Sequence, residues 1–366
     1  MRTFLFFTML FLFITNTNLL AQNKEKEVSE YLQKEMEKHK IPALQVAVIK
    51  NNKTILSKTL GLANVSFSVP AENSTIFSIN SISKIFASTA IMQLVEKGKI
   101  EVKHPISNYL NELPNDWQRV TVEQLLSHTS GLPDIEDPNS GELIGGKGIK
   151  TAWLEVQKMP LQFKAGDEFS YNATNYLLLE KIIEKLTGMD FEVFVKINQF
   201  DVAKMNKTFY GNSSEVTENK SPTYSFYYFD KSVGDYALGD HLLEISEEFP
   251  IRADAGVFSN ADEIAKWIVA LQTGKLLNKK SMNQMWSPVK VNNGEYGGFG
   301  GLLNAYAYGW PVINREKHSG VSPFGGGRAS FTIYPKDNLS IIVFTNLSGL
   351  PTFEIVENIS KFYLIN

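Results

Sequence analysis

Residues 77–86 read FSINSISKIF, and within them Ser81 and Lys84 stand three apart where an apolar segment turns into a helix. On a helix, residues three apart share one side, so the lysine amine can approach the serine hydroxyl. A hydroxyl is a poor nucleophile until a neighbouring base takes its proton, and a desolvated lysine can be that base. The start of the helix adds free N–H groups and the positive end of its dipole, which favour a developing oxyanion. The same spacing recurs at Ser287 and Lys290, but Pro288 and the run VKVNNG leave no helix to hold that pair. Spacing alone leaves two readings open for Ser81: a nucleophile with its base, or a helix cap with Lys84 in solvent.

Other chemistries find no support. The chain has no cysteine, which excludes a thiol nucleophile, a disulfide framework and a cysteine-based zinc site. Neither G-x-S-x-G nor H-E-x-x-H occurs, and His39, His104, His128, His241 and His318 are scattered without ligand spacing. The glycine clusters GEYGGFGG and FGGGR lack a following Lys-Ser/Thr and read as flexible loops, not phosphate cradles. His104, before Pro105, reads as a surface residue. His128, in LLSHTSGLPD, reads as a buried histidine that forms a turn.

The elements that must position this chemistry follow from patterning. KEKEVSEYLQKEMEKHK carries Val28, Tyr31, Leu32 and Met36 at helical spacing. ALQVAVIKNNKTILSKTLG predicts two strands joined at Asn51-Asn52. Ile85 to Val95 is helical and stops at Gly98, and NYLLLEKIIEKLTG and ADEIAKWIVALQTG are helical too. ASFTIYP and LSIIVFTN are strands separated by Lys336-Asp337-Asn338, with a final helix from Phe353. Strand pairs near both ends with helices between them predict an α+β fold, one antiparallel sheet assembled from both termini around an inserted helical region.

With 43% hydrophobic and 20% charged residues and a net charge of −3, the 366-residue chain reads as globular, without an electrostatic footprint for nucleic acid or anionic lipid. A small-molecule or peptide substrate is the expected partner; the oligomeric state is not legible. Residues 1–21 carry Arg2, an apolar run from Phe4 to Ile14 and a small Ala21, the pattern of a secretory signal cleaved near Ala21. The run is too short to span a bilayer. A secreted or periplasmic mature protein without a stable membrane anchor is expected, with residues 22–366 as one hydrolase domain.

Several long segments, in order, resemble the serine β-lactamase and penicillin-binding protein superfamily, in the branch of class C β-lactamases, D-alanyl-D-alanine carboxypeptidases and related esterases. They are IPALQVAVIKNNKTILSKTLGLANV, TIFSINSISKIFASTAIMQLVEKGKI, LLSHTSGLPD, GVFSNADEIAKWIVAL and YGW…KHSG. The resemblance runs from about Ile41 to Asn346. It implies Ser81 as nucleophile, Lys84 as the lysine that deprotonates it, and Tyr171 of FSYNATNY as the tyrosine sharing protons with that lysine. It implies His318-Ser319-Gly320 as the third motif, with the Val321 N–H joining that of Ser81 in the oxyanion hole. The second motif departs from the family's Tyr-x-Asn: it reads Tyr171-Asn172-Ala173, which puts efficient β-lactam hydrolysis in doubt and leaves Asn172 and Asn175 as nearby amides.

The reading is an exported serine hydrolase with an acyl-enzyme on Ser81 and no metal or organic cofactor. Its substrate is an ester or amide: a D-alanyl peptide, a small ester or, weakly, a β-lactam. The alternatives are a penicillin-binding or sensor-like module that acylates and stalls, and a non-catalytic peptide-binding scaffold. Leaving-group specificity is expected in loops such as residues 135–160 and 211–250.

Overall fold

Alternation along β1 (Ala43–Lys50) explains the centre of the molecule. Leu44, Val46 and Val48 enter one apolar cluster, while Ala43, Ala47 and Ile49 enter another, so both faces of the strand are buried. The computed structural model describes residues 24–137, 141–230, 232 and 235–364. The proposed signal segment therefore lies outside the described residues. From β1 the chain turns at Asn51 and Asn52, with φ of 50° and 59°, into β2 (Lys53–Asn64) and the short β3 (Val69–Pro70). This is the expected hairpin.

The partner of β1 on its other side comes from the far end of the chain. β14 (Leu339–Thr345) pairs antiparallel with β1, Leu44 opposite Thr345, and β13 (Ala329–Tyr334) follows. The sheet continues through β11 (Gly320–Val321), β10 (Pro311–Ile313) and β9 (Ala305–Tyr306), while β12 (Phe324–Gly325) also pairs with β13. One face is covered by α1, residues 24–39, and α10 (Thr352–Ser360). The other meets α8 (Ala261–Gln272) and the helical region. Gln45 is the polar exception on that buried face. Its amide donates to the Glu72 and Thr75 carbonyls and accepts from the Ala261 N–H, which satisfies it fully.

α2 (Ser83–Glu96) runs through the middle and is buried all round from Ser83 to Leu94, as expected of a helix with no polar face. Around it lie α3 (Val122–Leu126), α4 (Ile149–Val156), α5 (Ala173–Thr187), α6 (Phe191–Val195), α7 (Asp201–Ala203) and α9 (Lys279–Met285). α2 is approached through β4 (Phe77–Asn80), which pairs with β8 (Val257–Ser259) in a small sheet completed by β5 (Phe209–Tyr210).

The α+β architecture and the termini-built sheet are as expected. The segment 211–250, expected as loop, instead contains the hairpin of β6 (Thr223–Asp230) and β7 (Asp235–Ile245). The segment 135–160 likewise contains α4.

Candidate active site

Ser81 sits in the turn between β4 and α2, two residues before the first helical residue. It does not cap the helix: Ile82 is at the cap position and no side chain caps there. Ser83 instead donates to the Asn80 carbonyl. The Ser81 hydroxyl is left to donate to Asn80 Oδ1 at 3.0 Å and to accept from Lys84 Nζ at 3.4 Å. Of the two readings of the spacing, the geometry takes the one in which the lysine faces the serine.

Lys84 is 2% exposed, so its ammonium needs a partner. That partner is Asp254, a residue that spacing gave no reason to select. Nζ lies 2.6 Å from Asp254 Oδ1 and donates to its main-chain oxygen at 3.3 Å. The approach follows from topology. β8 pairs with β4, with Val257 opposite Asn80, so a residue just before β8 lands beside Ser81. The Asp254 and Ala255 N–H groups both donate to the Ile251 carbonyl, and the Ala253 N–H donates to Glu180, so the loop aiming this carboxylate is pinned.

Tyr171 covers the other side. Lys84 Nζ is 4.5 Å from the centre of its ring and 5.3 Å from that of Tyr176, favourable placements for a cation over an aromatic face. The residue as a whole is 37% exposed, while its hydroxyl is buried and interacts with Ser81. Burial, and then the negative charge of Asp254, push the phenol well above its ordinary pKa. It therefore stays protonated near neutrality and acts as a donor.

His128 is fully buried with φ of +56°, the turn-forming role expected. The Asn172 N–H and the Asn175 side-chain amide both donate to its Nδ1 at 3.1 Å, which places its proton on Nε2. Burial, then Lys84, hold it well below its usual pKa, so the ring is neutral and braces Tyr171, whose ring centre is 4.4 Å away.

Two further carboxyls complete the surroundings. Asp134 accepts from the Ala173 and Glu136 N–H groups. Glu136 is pushed up to about 8 by burial first and then by Asp254. An acid whose folded pKa exceeds its unfolded one binds more protons when folded, so its effect on stability turns unfavourable as pH rises from its ordinary value through that raised one. Glu136→Gln, which resembles the protonated acid, should have little effect on the melting temperature at about pH 5 and raise it over wild type at about pH 9. Parallel melting curves across that range would show that Glu136 does not titrate as described.

Five of the expected site residues, Asn172, His318, Ser319, Gly320 and Val321, lie elsewhere. Asn172 is 2% exposed and caps α5, accepting from the Asn175 N–H at 3.2 Å and donating to the Leu132 carbonyl at 2.8 Å. With both ends of its amide engaged it does not face a substrate. Val321 lies inside the sheet, between Val312 of β10 and Ile333 of β13. The segment against the Ser81 N–H is instead β12: a side-chain carbon on Gly325 would stand 2.8 Å from the Ser81 nitrogen. From Gly325 the register with β13 runs unbroken back to Val321, so His318 is seven residues away, about 20 Å along extended chain. Its Nδ1 lies 2.9 Å from Asp337 Oδ1 at the turn between β13 and β14, and Ser319 and Gly320 follow it at that end. The third motif is thus recognisable as sequence, but the strand register sets it away from Ser81.

The glycine clusters, expected as flexible loops, are structural. FGGGR closes the tight β12–β13 turn, and Arg328 within it is buried, donating to the Ser78 carbonyl and to Ser78 Oγ and pairing with Glu247 at 2.6 Å. GEYGGFGG carries Phe299, whose ring lies 5.3 Å from Tyr171 and 5.2 Å from Phe324, forming an aromatic rim. Ser287, the rival serine, donates to the Asn283 carbonyl, and Lys290 lies over Tyr296.

Among the described residues no helix is long and apolar enough to cross a membrane. Penicillin-binding protein 4* of Bacillus subtilis strain 168 is 27% identical over 317 residues, 84% of this chain and 68% of its own length. Protein flp of Staphylococcus aureus strain N315 is 24% identical over 93% of this chain and 67% of its own. The octameric penicillin-binding protein homologue from Pyrococcus abyssi superposes with a TM-score of 0.73 at 25% identity, covering 90% of this chain and 75% of that one. The penicillin-binding protein from Bacillus halodurans shares the fold, with a TM-score of 0.71 at 24% identity over 91% and 99%. The family model described as Beta-lactamase matches residues 28–362, nearly every described residue, and this chain belongs to that family.

Proposed function

We propose that the protein is an exported hydrolase that forms an acyl-enzyme on Ser81, with Lys84 receiving the serine proton and Tyr171 donating to the reacting oxygens or the leaving group. The observation that carries this reading is Lys84, buried and shared between the Ser81 hydroxyl at 3.4 Å and Asp254 at 2.6 Å. A buried lysine held at a serine is a base and its nucleophile in position. A peptide-binding scaffold has no use for a charge so costly to bury.

The aromatic rim of Tyr171, Phe299 and Phe324 supports an apolar acyl group. His318 is held at Asp337, at the far end of the strand from Gly325 and Ser81, which supports a small ester or amide over a carboxylate-terminated D-alanyl peptide. A fluorophosphonate probe should label the protein at Ser81, and Ser81→Ala should abolish both labelling and p-nitrophenyl ester hydrolysis. An adduct mapped to Ser287, or to no serine, overturns the proposal.

A further inference from the structure

We propose that Asp254 is the proton partner of Lys84, so that Ser81, Lys84 and Asp254 form a relay in which the carboxylate, not the lysine, finally holds the serine proton. The inference rests on the acyl-enzyme reading above.

A lysine paired at 2.6 Å with a carboxylate carries its full set of protons in that ion pair and has no lone pair for Ser81. Tyr171 cannot substitute as the base, because it remains a phenol. The remaining proton acceptor beside Lys84 is the Asp254 carboxylate, whose buried Oδ1 accepts no hydrogen bond among the described residues and so is open to a proton. Its distance to Nζ suits direct transfer, and the 3.4 Å from Nζ to Ser81 Oγ is one that a bound substrate can close.

The step balances without a co-reactant. Nζ must first pass one proton to Asp254, which frees its lone pair; as the bond from Ser81 Oγ to the substrate carbonyl carbon forms, the Oγ–H bond breaks and its proton passes to that lone pair. The result is a neutral acid at Asp254, an ammonium at Lys84 and the oxyanion on the substrate. When the oxyanion collapses, the bond to the leaving group breaks. Asp254 returns its proton through Lys84 and the Tyr171 hydroxyl to that leaving group.

Other groups around the pair titrate and must be accounted for. Asp134 and Glu136 come from the loop after α3, Tyr171 and Tyr176 from the start of α5, His128 from the end of α3 and Tyr306 from β9; each interacts electrostatically with Lys84 or Asp254. His128 is neutral and the three tyrosines are protonated near neutrality, which leaves Asp134, fixed by the Ala173 and Glu136 N–H groups, and Glu136, which, pushed up to about 8, is the group that must be controlled.

The test is the pH profile of kcat/KM for p-nitrophenyl butyrate in Asp254→Asn. The wild-type pair keeps its shared proton across neutral pH, so its profile should be flat there. The asparagine variant must lose a proton from Lys84 to solvent before each acylation. Its activity near neutrality should fall about 100-fold or more, with KM within about threefold, and should recover as pH rises. Asp254→Asn combined with Glu136→Gln should keep that alkaline recovery. Activity close to wild type, a uniform loss with an unchanged profile, or a recovery that vanishes in the double variant each overturns the relay. If the wild type itself is not labelled at Ser81, the acyl-enzyme reading has failed and takes the relay with it; a labelled wild type with an indifferent Asp254→Asn overturns the relay alone.

Discussion

Lys84→Met is expected to remove turnover, by at least about 1,000-fold, and to cost the fold about 3 kcal/mol or more. The two losses have different origins. Turnover goes because nothing is left between Ser81 and Asp254 to carry a proton. Stability goes because the Asp254 carboxylate, 7% exposed, loses the cation 2.6 Å away while Asp134 and Glu136 remain near it. Breaking one side of a buried pair strands the other charge. Lys84→Arg separates them: a guanidinium can pair with Asp254 but cannot give up its proton, so melting should recover in part while turnover stays lost. Probe labelling rates and thermal denaturation read the two effects independently. An arginine variant that turns over ester like the wild type would reduce Lys84 to an electrostatic anchor.

Gly325→Ala should be nearly as damaging, although the residue carries no chemistry. A methyl there would stand 2.2 Å from the Ile79 carbonyl, 2.8 Å from the Ser81 nitrogen and 3.0 Å from the Ile82 nitrogen. All three are backbone atoms of the junction that presents Ser81, so relief means moving β12 or moving Ser81. Such overpacking costs about 1–3 kcal/mol, and labelling should fall much further than a fold loosened by that amount explains. A Gly325→Ala protein labelled at the wild-type rate would show that β12 does not support the geometry of Ser81.

What could be read from the sequence divides along a physical line. The Asn51-Asn52 hairpin, α2, α5, α8 and the β13–β14 pair were legible because each depends on residues within about twenty positions of one another. Ser81 and Lys84 were legible for the same reason. Asp254 was not: RADAGVFS gives no sign that one acid will face a lysine 170 positions earlier, and only the pairing of β4 with β8 brings them together. His318 fails in the opposite way. Its motif is plain, but whether it reaches Ser81 depends on how many residues separate it from the β12–β13 turn, and strand register decides that. Asn172 was offered as a site residue by proximity to Tyr171, yet one residue's step into α5 turned its amide toward the helix end. The hairpin of β6 and β7 was missed because TYSFYYFD lacks the clean alternation of a half-buried strand.

The pairing of β1 with β14 also has a bearing on how the chain reaches this structure. Leu44 meets Thr345 across some 300 intervening residues, so the central ladder cannot close until almost the entire polypeptide has left the ribosome. Until then β1 and β2 form a two-stranded ribbon, apolar on both sides of β1, with one edge open. Such a ribbon is marginal alone and a template for unwanted pairing. Folding of this protein is therefore expected to be slow and to depend on holding that edge apart from its neighbours while the C-terminal strands arrive.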